Sequence, residues 1–195
     1  MDDQDSIVLL LSGGLDSITL GELALYEGFH VTALTFSYGQ PAQTQEILHA
    51  KRWCRKNDVE HTVRAIDLKG LGNMNKAPGE EGPRIVPARN LVMISTAANL
   101  AASIGASQVW YGATKADREY PDCSPNFVSD LSLLLEETEN LRLVTPFIFE
   151  EREFIVRLAE EFGVQSGDVW SCYAPEGRAD DKPCGSCNSC QQGTI

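Results

Sequence analysis

Two sets of residues have types and spacings suited to chemistry. The first is Ser12-Gly13-Gly14-Leu15-Asp16-Ser17, entered directly from an apolar run that ends in Leu10 and Leu11. A strand, a glycine turn and a helix start present unpaired N–H groups and the positive end of a helix dipole, which together hold phosphate. Gly13 and Gly14 allow positive φ and a close approach of backbone to ligand, and Ser12 and Ser17 add hydroxyl donors. The lysine with which a G-x-x-x-x-G-K-S/T loop reaches the β and γ phosphates is missing. The turn therefore suits the pyrophosphate left behind when attack occurs at an α phosphate. Asp16 would repel a bare anion, so its presence implies a Mg²⁺ bridging it to the phosphates. Leu10, Leu11, Ser12, Gly13, Gly14, Leu15, Asp16 and Ser17 form the candidate phosphate-binding segment, with Asp16 and Ser17 in the chemistry. The plainer alternative makes Asp16 or Ser17 an ordinary helix N-cap.

The second set is Cys172, Cys184, Cys187 and Cys190, the last three spaced C-x-x-C-x-x-C. Two-residue gaps let thiolates converge on one ion, and four soft thiolates favour a closed, tetrahedral and structural Zn²⁺ site. The same spacing also suits an iron–sulfur cluster. Gly177, Pro183 and Gly185 fit a loop folded around the ion. Cys54, inside a helical pattern, reads as a packed thiol; Cys123 either shapes a pocket or is simply buried. His30, His49 and His61 show no ligand spacing.

Sixteen Lys plus Arg against 28 Asp plus Glu leave a net charge of −12. A chain this acidic has no overall attraction to nucleic acid or to anionic membranes. No apolar run reaches the length of a membrane-spanning helix, and the acidic start MDDQDS is unlike a secretion signal. These features predict a cytoplasmic protein without nucleic-acid or membrane partners, whose cysteines serve as ligands or core residues rather than disulfides.

Strands and helices alternate to position these groups. The pattern predicts strands over 6–11, 30–36, 59–67, 108–114 and 141–146, and helices over 16–27, 41–56, 90–104, 127–137 and 150–162. Gly28, Gly105 and Gly163 stand where helices end, and a Gly- and Pro-rich loop is expected from 69 to 83. Five such strands predict an α/β fold with a doubly wound parallel sheet. If the first strand is central, the next two lie on one side of it and the fourth on the other. The ligand crevice then lies at the carboxyl ends of strands one and four, where the SGGLDS turn and the loop GATKADREYPDC emerge. Residues 1–166 are expected to form this domain, with 167–195 a cysteine-bearing tail packed on it.

In this setting SGGLDS resembles the loop of the pyrophosphatase-loop ATP enzymes, a family with the adenine-nucleotide-hydrolase type of fold. FSYGQ (36–40), VPARN (86–90), YPDC (120–123), WSCY (170–173) and CGSCNSC (184–190) follow in order, and over nearly the whole chain it resembles the 7-cyano-7-deazaguanine synthases. The resemblance implies 7-carboxy-7-deazaguanine as substrate, with ATP, ammonia, Mg²⁺ and Zn²⁺, and a homodimer. It implies an acyl adenylate, then an amide, then a nitrile, with AMP and pyrophosphate released. A chain of 195 residues has no room for a glutaminase domain, so the ammonia is expected free or from another protein.

A deazaguanine needs an apolar or aromatic wall, a carboxylate for its N–H groups and donors for its acid. Arg89, Asn90, Asp117, Tyr120 and Asp122 are candidates for these contacts, Tyr38 and Gln40 for adenine or ribose, and Arg89 and Arg152 for a catalytic charge. The plainer readings are a solvated Asp117–Arg118 pair and a structural ion pair for Arg89. Three features depart from the family. CSPNF puts Ser124 and Asn126 where it carries Arg and Glu, Arg152 replaces a lysine, and only QQGTI follows Cys190. A reaction stopping at the amide, 7-amido-7-deazaguanine, is the first alternative. Next come a tRNA-modifying adenylating enzyme of the thiolase or lysidine-synthase type, disfavoured by the net charge, and a zinc-tailed nucleotide sensor.

Overall fold

The computed structural model describes residues 6–72, 85–173, 182–187 and 190. Most of the expected 69–83 loop, the acidic start, Gly177 and the residues after Cys190 lie outside them. Five strands, β1 (Ser6–Leu10), β2 (His30–Ser37), β3 (Glu60–Ala65), β4 (Gln108–Trp110) and β5 (Arg142–Val144), form one sheet in the order β3-β2-β1-β4-β5. Every pairing is parallel. This is the expected doubly wound α/β fold, with β1 central.

Side chains alternate across a strand, and β1 uses both faces. Ile7 and Leu9 join one buried cluster, where Ile18 and Leu20 of α1 (Leu15–Tyr26), Ala50 and Trp53 of α2 (Gln43–Lys56) and Ile155 of α5 (Arg152–Glu161) meet. Val8 joins the other, with Met93 and Ile94 of α3 (Arg89–Ile104) and Leu131 and Leu135 of α4 (Pro125–Glu139). A strand covered on both faces reads as a continuous apolar run, which SIVLLL does. Positive φ at Gly28, Gly105 and Gly163 accompanies the ends of α1, α3 and α5.

The boundaries differ from expectation where the chain turns to build the crevice. β4 stops at Trp110, not Thr114; after Tyr111 N–H donates to Val144 O at 3.1 Å the chain leaves the sheet. Pro41 precedes α2 rather than opening it, because the Gln40 side chain closes the turn before it: Tyr38 N–H donates to Oε1 (2.8 Å) and Nε2 donates to Phe36 O (3.1 Å). α4 begins two residues early, since Ser124 is its N-cap and accepts from Phe127 N–H at 3.2 Å, with Pro125 in the first turn. α5 begins two residues late, after a turn in which Glu150 N–H donates to Phe147 O.

Candidate active site

A cavity of about 270 Å³ opens at the carboxyl ends of β1 and β4, lined on one side by Leu10, Leu11, Ser12, Gly14, Asp16 and Ser17. Ser17 Oγ donates to Gly14 O (3.0 Å), Ser12 N–H donates to Ser17 Oγ (3.2 Å) and Gly14 N–H donates to Ser12 Oγ (3.3 Å). Neither Asp16 nor Ser17 is the N-cap of α1; Gly14 is, with no side-chain capping bond.

Only one glycine of the turn has positive φ. Gly14 is extended at φ −82°, whereas Gly13 sits at φ +79°. The close approach at Gly13 is to protein: a Cβ there would lie 2.4 Å from Glu46 O and 3.0 Å from Ala50 N on α2. Leu15, buried at 3% exposure, belongs to the core. Gly13→Ala adds a left-handed non-glycine residue to a backbone clash. We expect it to cost at least about 2 kcal/mol in denaturant unfolding; an unchanged midpoint would contradict this packing.

Asp16 stands apart from this network. Its Oδ1 is wholly buried and has no hydrogen-bond partner among the described residues. Burial, and next the charge of Asp117, push its carboxyl up to about 6, while Arg152 pulls the other way. Arg152, the first residue of α5, does not line the cavity but acts on Asp16 through its charge. A buried carboxylate oxygen without a donor fits a cation.

Tyr38, Gln40, Glu46, Arg89 and Asn90 complete much of the lining. Gln40 also donates to Glu46 Oε2 at 2.8 Å, so it braces the turn and turns Glu46 to the cavity. Burial raises the Glu46 carboxyl above its ordinary value. Arg89 follows Ala88, whose φ of 55° is left-handed. Its Nη1 donates to Tyr38 Oη at 3.3 Å, and its guanidinium lies 5.8 Å from the centre of that ring. Asn90 N–H donates to Asp122 Oδ2 (2.8 Å) and its Nδ2 donates to Cys123 Sγ (2.9 Å).

Asp122 therefore holds the start of α3 and does not line the cavity; Tyr120 does not either, packing against the core on the α3 face. Asp117 lines it while closing a capping box, its Oδ2 accepting from Thr114 N–H (2.9 Å) and Oγ1 (2.8 Å). Arg118 donates to Ile148 O at 3.1 Å and sits 4.7 Å from the Phe149 ring centre. Glu46, Met93 and Tyr111 also line the cavity and no motif pointed to them, while Tyr173, which lines it too, is the last residue of WSCY. Cys123 is both buried and cavity-lining. Burial, then Asp117 and Asp122, raise its thiol to about 12, which leaves it unreactive.

The ligand atoms of Cys172, Cys184, Cys187 and Cys190 all lie within 4.8 Å of one another. Cys184 and Cys190 sulfurs are 3.9 Å apart, close to the roughly 3.8 Å edge of a tetrahedron with metal–sulfur bonds of about 2.3 Å. Cys184 N–H donates to Cys172 Sγ and Cys187 N–H to Cys184 Sγ. The cluster can hold one metal ion, and it adjoins the turn: Trp170 N–H donates to Gly13 O at 2.9 Å.

No helix among the described residues is long and apolar enough to cross a membrane. The 7-cyano-7-deazaguanine synthase of Pseudoalteromonas atlantica is 31% identical over 95% of this chain and 90% of its own length. That of Marinobacter nauticus is 34% identical over 95% and 89%. The U34-tRNA thiolase NcsA from Methanococcus maripaludis, solved with its 4Fe-4S cluster, superposes with a TM-score of 0.55 at 16% identity over 82% of this chain and 57% of its own, a likeness of fold alone. The family model for Queuosine biosynthesis protein QueC matches residues 6–194, and with the phosphate-type turn, the crevice at the strand switch and the four-cysteine cluster all inside that span, the chain belongs to the QueC family.

Proposed function

We propose that the chain makes 7-cyano-7-deazaguanine from 7-carboxy-7-deazaguanine and ammonia, consuming ATP at its α phosphate. The observation that carries this reading is the buried, unpartnered Asp16 oxygen beside the Ser12–Ser17 turn at the β1–β4 switch. Ser12, Ser17 and the Gly14 end of α1 suit the phosphates. Asp16 would hold a Mg²⁺, which supplies charge neutralisation there. Arg152 adds positive charge near Asp16. Tyr38 and Glu46 are the residues for adenosine, and Arg89, Asn90 and Asp117 for the deazaguanine. Asp122 and Gln40 position these groups. The four cysteines would hold a structural Zn²⁺. We place the enzyme in the cytoplasm as a homodimer.

A substrate carboxylate oxygen attacks the α phosphorus, and the bond to the departing pyrophosphate breaks. Ammonia adds at the acyl carbon, AMP leaves with the C–O electron pair, and loss of a proton gives the amide. The amide oxygen attacks a second ATP in the same way. As its C–O bond to AMP breaks, both N–H protons are lost and the nitrile forms. Ser124, in the position where the resemblance expects an arginine, caps α4 and offers a hydroxyl in place of a cation.

Stoichiometry tests this directly. Incubation with the acid, ATP and ammonium is expected to give two AMP and two pyrophosphate per nitrile, read by mass spectrometry. One AMP with an accumulating amide would make the amide the endpoint. ADP and phosphate would overturn attack at the α phosphate, and a salt-sensitive shift of tRNA would favour the tRNA-modifying reading.

A further inference from the structure

Tyr111 is the second side chain of the cavity with a buried polar atom and no partner. Its residue is 6% exposed, and its ring belongs to the cluster of the α3 face together with Val109 and Met93. Tyr111 lines the cavity that Asp16, Asp117 and Cys123 also line, and its buried hydroxyl has no hydrogen-bond partner among the described residues. Phenylalanine would fill the same core volume without burying an unpaired hydroxyl, whose desolvation destabilises the free protein. Burial first, and then the neighbouring Cys123, Asp122 and Asp117, raise its pKa, so the group stays a neutral hydroxyl. Neutrality suits it to a pocket already holding Asp16 and Asp117, and it can both donate and accept.

The substrate class adopted above passes through the same two requirements. A carboxylate at the reacting position only accepts hydrogen bonds, whereas the carboxamide that follows presents N–H donors. We propose that the Tyr111 hydroxyl contacts the reacting substituent of the deazaguanine, donating to the carboxylate oxygen that is not adenylated and then accepting from the amide N–H. Both contacts leave the other oxygen, or the amide oxygen, turned toward the α phosphorus. The contact in which the hydroxyl accepts is lost as the nitrile forms, because the nitrile nitrogen carries no proton. The inference rests on the deazaguanine reading and concerns how the substrate is oriented.

Tyr111→Phe tests it, with the wild-type protein assayed in parallel on the acid and on the amide as separate substrates. The variant is expected to have an unchanged or higher thermal midpoint without ligands and wild-type affinity for ATP. Its kcat/KM is expected to fall about ten- to a hundredfold on each substrate, as for a lost hydrogen bond to a charged or reacting group. A variant within twofold of wild type on both substrates would overturn the role of Tyr111 alone. A lowered midpoint with parallel loss of ATP affinity would assign the hydroxyl to packing and also overturn it. Wild-type protein inert on the deazaguanine acid would overturn the substrate reading on which the inference rests.

Discussion

Asp16→Asn is expected to lower AMP formation by about a hundred- to a thousandfold while making the free protein more stable above pH 6. Both effects have one cause. Asp16 Oδ1 is buried with no donor among the described residues, and its carboxyl is raised from 3.8 to about 6 by burial first and Asp117 second. The folded protein thus binds this proton more tightly than the unfolded chain does. The linked stability is fully present below about pH 4 and is lost as pH rises through about 6. From the two pKa values the loss is about 3 kcal/mol. Asparagine carries no such charge, so chemical denaturation should show the variant near wild type at pH 4 and about 3 kcal/mol more stable at pH 8. Mg²⁺ with ATP should reverse that order, because only the carboxylate binds the cation. In the wild type kcat/KM should fall as pH drops through about 6. An unchanged rate at limiting Mg²⁺ would remove Asp16 from the metal.

Wherever a local pattern dictates structure, the sequence was readable. SIVLLL has to be covered on both faces, and a turn of Ser and Gly between it and an apolar helix fixes where phosphate can approach. What escaped reading depends on partners distant in the chain. Asp122 looks like a substrate carboxylate, but its oxygen is engaged by Asn90 N–H, thirty-two residues earlier. Gln40 lines the cavity as expected of a ligand contact, but the sequence does not show that it also holds Phe36 O and Glu46. Glu46 itself sits in an ordinary amphipathic helix and reaches the cavity because α2 packs against Gly13. Tyr111 was hidden inside a strand pattern, and only the departure of the chain after Trp110 turns it into cavity wall. The left-handed Ala88 ahead of Arg89 has no signature at all, since alanine marks no turn. Ser124 is the reverse case: an N-cap signal was present, with Pro next to it, and the helical period alone began the helix too late.

Replacing any one of Cys172, Cys184, Cys187 or Cys190 by Ser is expected to release the metal and to weaken ATP binding together. Changes one shell beyond a metal already cost about 10- to 100-fold in affinity, so loss of a thiolate ligand should cost more than about a hundredfold. Metal-binding energy in such a loop is folding energy. The connection to ATP runs through Trp170. Its N–H donates to Gly13 O, its Nε1 donates to Cys172 O at 2.8 Å, and its ring lies 5.6 Å from that of His49 on α2. It shares a buried cluster with Ala42 and Cys172, against which Cys184, Cys187 and Cys190 pack, and Tyr173, the residue after Cys172, lines the cavity. Releasing the metal therefore loosens one wall of the cavity and the carbonyl side of the phosphate turn. Calorimetry should show ATP affinity falling several-fold in step with metal content, and scanning calorimetry a lower midpoint. Cys54→Ser, in α2 and outside the cluster, should keep both metal and ATP affinity. Iron with inorganic sulfide in the metal analysis would replace Zn²⁺ with a cluster. A variant without metal that still binds ATP as the wild type does would show that Trp170 holds Gly13 unaided.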